Sequence, residues 1–181
     1  MFLRLVLSCT LLFPVLTLLR LLIQPVQAAE TGELQRLGTY GEWTAYTATE
    51  KGKKLCYMAS QPLKAEGDYI NRGDIFALIT HRPAQNALDV FQIVAGYTYK
   101  DGSSVELKIG KKTFSLFTSG GRAWAHDSKT DTTISTQIRK GNEMVIRGTS
   151  SRGTLTTDTY SLSGATQAWE AISEACGVKN G

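Results

Sequence analysis

Two histidines, His81 and His126, are all the imidazole in this 181-residue sequence, and that scarcity narrows the chemistry first. His81 closes an apolar run ahead of Arg82-Pro83, and the sequence names no carboxylate to partner it as a general base. A structural histidine bonded to backbone is the favoured reading. His126 precedes Asp127, with Asp131 nearby, but this spacing matches no recognised metal-ligand pattern and falls in a polar stretch read as a loop. No metal site, no cofactor and no catalytic residue is expected. Cysteine is sparse too: Cys9, Cys56 and Cys176 have no CxxC partner and no adjacent histidine, which disfavours redox catalysis and zinc binding. There is no basic stripe. Lys51, Lys53 and Lys54 cluster, as do Lys111 and Lys112, but at turns, so they read as solvated hairpin ends and nucleic acid is not an expected partner. Repeats and low-complexity segments are absent.

Nor is there an unbroken apolar run of about 20 residues, the length a spanning helix needs. Pro14 and Arg20 interrupt the one stretch that approaches it. The first 28 residues have the plan of a signal peptide instead. Arg4 supplies the positive start, Leu5 to Leu19 the apolar centre, and Val26-Gln27-Ala28 the small residues at a cleavage site. Cleavage there leaves one domain, residues 29–181, with a net charge of about +2. A chain of this length can bury roughly 68–70% of its unfolded surface around a single core. An uncleaved membrane anchor is the alternative. Cys9 precedes most of the apolar stretch, which disfavours lipidation. The expectation is an exported protein, periplasmic or associated with the outer membrane. Membrane association stays open, without a transmembrane segment in the mature chain.

Once the leader is removed, Cys56 and Cys176 remain, and an oxidising compartment allows them one intramolecular pairing. The loop so closed exceeds a hundred residues, worth roughly 4–5 kcal/mol in the chain-entropy picture. Two free buried thiols are the alternative.

Short runs with period-2 alternation dominate the rest. Strands are expected over 43–48, 54–60, 75–80, 88–99, 105–109, 114–117, 123–125, 133–139, 144–148 and 154–162, with loops at 30–39, 64–73 and 127–131. Asp101-Gly102 is a hairpin signal. Helical spacing emerges only after Gly164, where Ala165, Ala168, Trp169, Ile172 and Cys176 share one face. Ser163 is the expected N-cap and Gly177 the expected C-terminal cap. The fold class is therefore all-β: an antiparallel β-sandwich or partly open barrel with one C-terminal α-helix.

The most suggestive loop is Gly148-Thr149-Ser150-Ser151-Arg152-Gly153-Thr154. Hydroxyls, backbone N–H groups and Arg152 between two glycines offer a cradle for an anion, making Ser150, Ser151 and Arg152 a candidate binding loop. A β-turn in which Ser and Thr bond their own backbone is the favoured alternative. Neither serine has the strand–turn–helix setting of a nucleophile. Trp43, Trp124, Tyr97 and Tyr99 read as core rather than as a ligand platform.

Several stretches taken in order carry a resemblance: Thr80-His81-Arg82-Pro83, Gly96-Tyr97-Thr98-Tyr99, Phe114 to Thr118, Arg122 to Ala125, Gly148 to Thr154, and Asp158 to Leu162. From about Gly38 to Val178 the chain resembles the invasion-associated locus B family of alphaproteobacterial secreted proteins. The resemblance implies an exported, envelope-associated β-domain, linked in some pathogens to host-cell invasion, and no catalytic residues. The favoured function is non-enzymatic binding of an envelope or host protein through a sheet edge, a loop cluster or an exposed face. The alternatives are a hydrolase using His81 or His126, and a structural subunit of an envelope complex.

Overall fold

The computed structural model describes Gly32 and residues 34–179. The segment read as a signal peptide, and Cys9 within it, lie outside them. Eleven strands of the described chain form one antiparallel sheet. In chain order they are β1 (Gln35–Tyr40), β2 (Trp43–Glu50), β3 (Lys53–Ser60), β4 (Lys64–Gly67), β5 (Phe76–Arg82), β6 (Ala87–Val94), β7 (Ser104–Ile109), β8 (Lys112–Ser119), β9 (Arg122–Trp124), β10 (Glu143–Thr149) and β11 (Leu155–Ser161). Helix α1 (Ser128–Lys140) precedes β10 and helix α2 (Ala165–Ala175) follows β11.

Across the sheet the order is β1-β2-β3-β5-β6-β9-β8-β7-β10-β11-β4. Only Gln61, Pro62 and Leu63 separate β3 from β4, yet these strands stand third and last in that order. The sheet must therefore curl until its β4 edge comes back towards β3. Cross-links confirm the curl: Trp43 Nε1 donates to the Ser161 carbonyl (3.1 Å), and the Glu42 N–H to the Ser163 carbonyl (3.1 Å). Of the two architectures expected, the partly open barrel is the one formed: the described strands make one curled, unclosed sheet rather than two sheets face to face. Alternation puts Met58, Ile79, Phe91, Leu107, Leu116, Met144 and Tyr160 inside, where the helices add Ile134, Ile138, Trp169 and Ile172.

The second helix corrects the sequence reading, which took 127–131 for loop and 133–139 for strand. β-Branched Thr132, Thr133, Ile134 and Thr136 favour a strand locally. Tertiary contact and capping prevail. The Asp127 carboxylate accepts the Thr130 N–H (2.7 Å) as N-cap, and Ile134 and Ile138 lie four apart on a buried face. The Thr133 and Thr136 hydroxyls bond carbonyls one turn back, at 2.8 Å each.

Both edge strands, β1 and β4, were expected to be loop. All four residues of β4 are exposed, and Lys, Ala, Glu and Gly carry no strand preference, so pairing with β11 alone extends them. The long strand expected over 88–99 ends at Val94, because the backbone turns at Gly96 (φ 71°). Ser163 does not cap α2. Gly164 holds that place at φ 85°, where a Cβ would collide with the Tyr40 carbonyl. The far end closes as expected of Gly177 (φ 64°): Gly177 N–H reaches the Glu174 carbonyl and Val178 N–H the Ser173 carbonyl. Cys56 on β3 and Cys176 after α2 form a disulfide, Cα to Cα 6.0 Å, across 120 residues of chain.

Candidate functional site

Where the curled sheet meets itself, the segment after β4 is held against the ends of β6 and β11. Arg72 is the clamp. Its Nη1 and Nη2 donate to the two carboxylate oxygens of Asp158 (2.6 Å each), and its Nε donates to the Ala95 carbonyl (2.7 Å). Both side chains are almost wholly buried, at 4% and 3% exposure. The guanidinium also lies 4.8 Å from the Tyr97 ring centre and 5.5 Å from that of Tyr69. Burial pushes the Asp158 carboxyl up, and the two hydrogen bonds from Arg72 pull it back. Three guanidinium N–H groups thus have oxygen acceptors and two aromatic rings flank the cation, the partners that burial of a charge requires.

Around the clamp the fit is close. The Tyr97 and Thr156 hydroxyls bond at 2.7 Å, and the Tyr97 and Tyr99 rings meet edge to face at 5.2 Å. Gly148 leaves room for both rings: a Cβ there would stand 2.6 Å from Tyr99. Burial raises the Tyr97 and Tyr99 phenols, so both stay neutral. Gly73 donates its N–H to the Gly96 carbonyl (2.9 Å), stitching the two segments together.

Outside this buried layer opens a cleft of about 740 Å³, walled by Asp68 to Arg72, Gly96 to Thr98, and the turn carrying Ser150, Ser151 and Arg152. The turn bonds itself. Gly153 N–H reaches the Ser150 carbonyl, Thr154 N–H the Ser150 hydroxyl, Ser150 N–H the Thr154 carbonyl, and Ser151 N–H the Thr98 carbonyl. Four backbone donors that an anion cradle would use are committed to protein. Ser150 is buried, while Ser151 and Arg152 remain exposed at the rim. Three large apolar side chains also stand in water here: Leu63 before β4 (60% exposed), Ile70 after it (97%) and Leu155 at the start of β11 (60%). β4 is the last strand of the sheet, with no strand beyond it among the described residues, and Tyr69 folds back on it, its hydroxyl donating to the Ala65 carbonyl (2.6 Å) and its N–H to the Gly67 carbonyl (3.1 Å).

The histidines lie elsewhere. His81 is fully buried under α2, its Nδ1 accepting the Asp89 N–H (3.0 Å) and its Nε2 facing the Ser173 hydroxyl (3.1 Å). Because Nδ1 accepts, Nε2 carries the proton and donates to Ser173. It cannot take a proton from that serine, which is itself fully buried. Nearby, Asp89 Oδ1 accepts from Ser135 (2.8 Å) and Trp169 (2.7 Å) rather than from the imidazole. Burial holds the His81 imidazole below its usual value, with Asp89 opposing and Arg139 adding to the shift. The outcome is a polar knot joining β5, β6, α1 and α2. His126 is exposed, its ring 5.5 Å from Phe117, while Asp127 caps α1 and Asp131 accepts the Phe91 N–H (2.9 Å). Of the aromatics read as core, Trp43 and Tyr99 are buried, Tyr97 half-buried, and Trp124 stacks on the outer sheet face against half-exposed Phe117.

Arg72 was not legible in the sequence, where it sits in a polar stretch. The available signal was Asp158, whose place in the alternation with Thr156 and Tyr160 turns a carboxylate inward and so demands a cation.

No curated protein sequence matches the chain. Among solved structures, the crystal structure of invasion associated protein B from Bartonella henselae is similar at a TM-score of 0.54 and 14% identity. The match covers 78% of this chain and 96% of that one, a likeness of fold. The family model for the invasion associated locus B protein matches residues 43–173, from the first buried tryptophan to the serine beneath His81. The chain belongs to the invasion associated locus B family.

Proposed function

We propose that this protein is an exported, non-enzymatic binding module of the periplasm or outer membrane. Its ligand is an extended polypeptide that adds to the free edge of β4 and lies across the adjoining cleft. One observation carries this reading: Leu63, Ile70 and Leu155, all largely exposed, bracket an edge strand that has no strand beyond it among the described residues and is capped only by Tyr69, beside a 740 Å³ cleft. Strand addition takes its affinity from main-chain hydrogen bonds and its selectivity from side-chain pockets. The edge offers the first, and the cleft with Tyr69 and Ile70 offers the second. Arg152 at the rim favours a ligand with an acidic residue at that point. The Arg72–Asp158 clamp keeps the walls in place before the ligand arrives, which limits the ordering cost of binding. A disulfide closing 120 residues supports an oxidising compartment.

The test is selection of a random peptide display library on the full chain. Selected peptides should bind through their main chain, so N-methylation at alternate residues should abolish binding. Ile70→Asp and Arg152→Glu should weaken it, each about tenfold, a loss typical of one good interface contact. Peptides that tolerate N-methylation, or that bind both variants as tightly as the parent protein, would refute strand addition at this edge.

A further inference from the structure

Towards the start of β10, from Arg147 back to Glu143, or about 10 to 23 Å from Ser150 of the β4 cleft at roughly 3.3 Å per residue, the surface has a different character. The β7–β8 hairpin turn, the end of α1 and the start of β10 enclose an open cleft of about 670 Å³. Its walls carry Lys108, Lys111, Lys112, Lys140 and Arg147 against a single carboxylate, Glu143. All five cations are exposed. Arg147 pairs with Glu106 at 3.3 Å, but among the described residues none of the four lysines forms an ion pair. The sequence shows only the Lys111-Lys112 pair. The fold brings Lys140 to it from a helix, while Arg147 arrives from a strand.

Arg147 has Glu106, and Lys140 has the C-terminal end of the α1 dipole, but Lys108, Lys111 and Lys112 converge beside them with no partner among the described residues, where each would be better solvated apart. We propose that this basic end docks the protein on an anionic lipid surface, the lysines engaging phosphate headgroups. Two features favour a lipid surface over an acidic protein. The walls offer no exposed aromatic or large aliphatic side chain, the anchors on which protein interfaces depend. Four of the five cations are lysines, mobile point charges suited to a diffuse layer of headgroups rather than to bidentate recognition of one carboxylate. None of the residues lining the cleft is aromatic, so it offers no platform on which a nucleic-acid base would stack. The β4 cleft is a separate surface that shares no lining residue with this one. The proposal does not depend on what that cleft binds.

Vesicle co-sedimentation of the full chain tests it. The probes are vesicles of pure phosphatidylcholine and vesicles carrying about 30% phosphatidylglycerol, a charge density typical of anionic leaflets. The first 28 residues, which carry Arg4 and Arg20, contribute alike to the parent protein and its variants, so the variants on anionic vesicles are the deciding comparison. Partitioning should favour the anionic vesicles and disappear in roughly 0.5 M salt, where screening is nearly complete. Lys111→Glu/Lys112→Glu/Lys140→Glu should reduce it about a hundredfold or more, each surface lysine contributing a factor of about five. The neutralised pair Lys108→Gln/Lys140→Gln, milder for the fold, should reduce it roughly twentyfold on the same scale. Equal binding to both vesicle types, or unchanged binding by the variants, overturns the proposal. So does polyglutamate held more tightly than the anionic vesicles, which would identify an acidic polypeptide as the partner.

Discussion

Replacing Arg72 by alanine should destabilise the protein by about 3–5 kcal/mol at pH 7, the cost of stranding one member of a buried ion pair. Asp158 would keep its place at 3% exposure while losing both hydrogen bonds, and the Ala95 carbonyl would lose its donor. The pair itself contributes little net stability, because desolvation of both ions offsets their attraction. Arg72→Met/Asp158→Leu should therefore recover most of the loss. Acid distinguishes the single variant further. Without the guanidinium, burial alone acts on the Asp158 carboxyl and raises it further. A carboxyl raised in the fold costs stability above its folded value and relieves that cost as pH falls towards the unfolded value near 4. The gap between wild type and Arg72→Ala should thus narrow from pH 7 to pH 5. Urea unfolding of all three proteins at both pH values is the assay. A loss below about 1 kcal/mol, or a double variant no better than the single one, would refute the clamp as described.

Further outcomes are expected. Reduction of the Cys56–Cys176 bond, or Cys176→Ala, should lower stability by about 5 kcal/mol in the chain-entropy picture, read as a fall in Tm; an unchanged Tm would show that the clasp stabilises nothing. Burial raises the Asp131 carboxyl to about 6, with the Phe91 N–H opposing and Asp89 and Asp127 adding to the rise. That group costs stability above pH 6 and gains it as pH falls from 6 towards 4. Asp131→Asn, which keeps the acceptor, should melt higher than wild type at pH 8 and lose that advantage progressively as pH falls from 6 to 4. Gly164→Ala should cost about 2 kcal/mol or more, since φ 85° and the Tyr40 carbonyl both exclude a Cβ; a thermal melt checks it. Mass spectrometry of the exported protein should find its N-terminus at Ala29 or Glu30.

The elements legible in the sequence were those whose instructions are local. Alternation in Val105, Leu107 and Ile109 named β7 correctly, Asp101-Gly102 named the turn before it, and the apolar spacing of Ala165, Trp169 and Ile172 named α2. α1 was hidden because its threonines speak for a strand, while its two isoleucines and the Asp127 cap speak for a helix only once β6 is there to receive them. β1 and β4 were hidden because an edge strand borrows its conformation from a neighbour. At the candidate site, the Ser150–Arg152 turn stood out in the sequence, but its wall at Asp68 to Arg72 did not. Arg72 and Asp158 are 86 residues apart and meet only through the curl of the sheet. His81 was readable as structural from its isolation, yet Ser173, its partner 92 residues on, was not.

Strand addition at β4 is tested most directly by amide hydrogen exchange of the protein with and without a peptide selected from the display library. Residues 64–67 and the 150–154 turn should gain protection on binding, while the stacked Phe117 and Trp124 on the outer sheet face stay unchanged. Protection confined to that aromatic face, with β4 exchanging as freely as before, would contradict it.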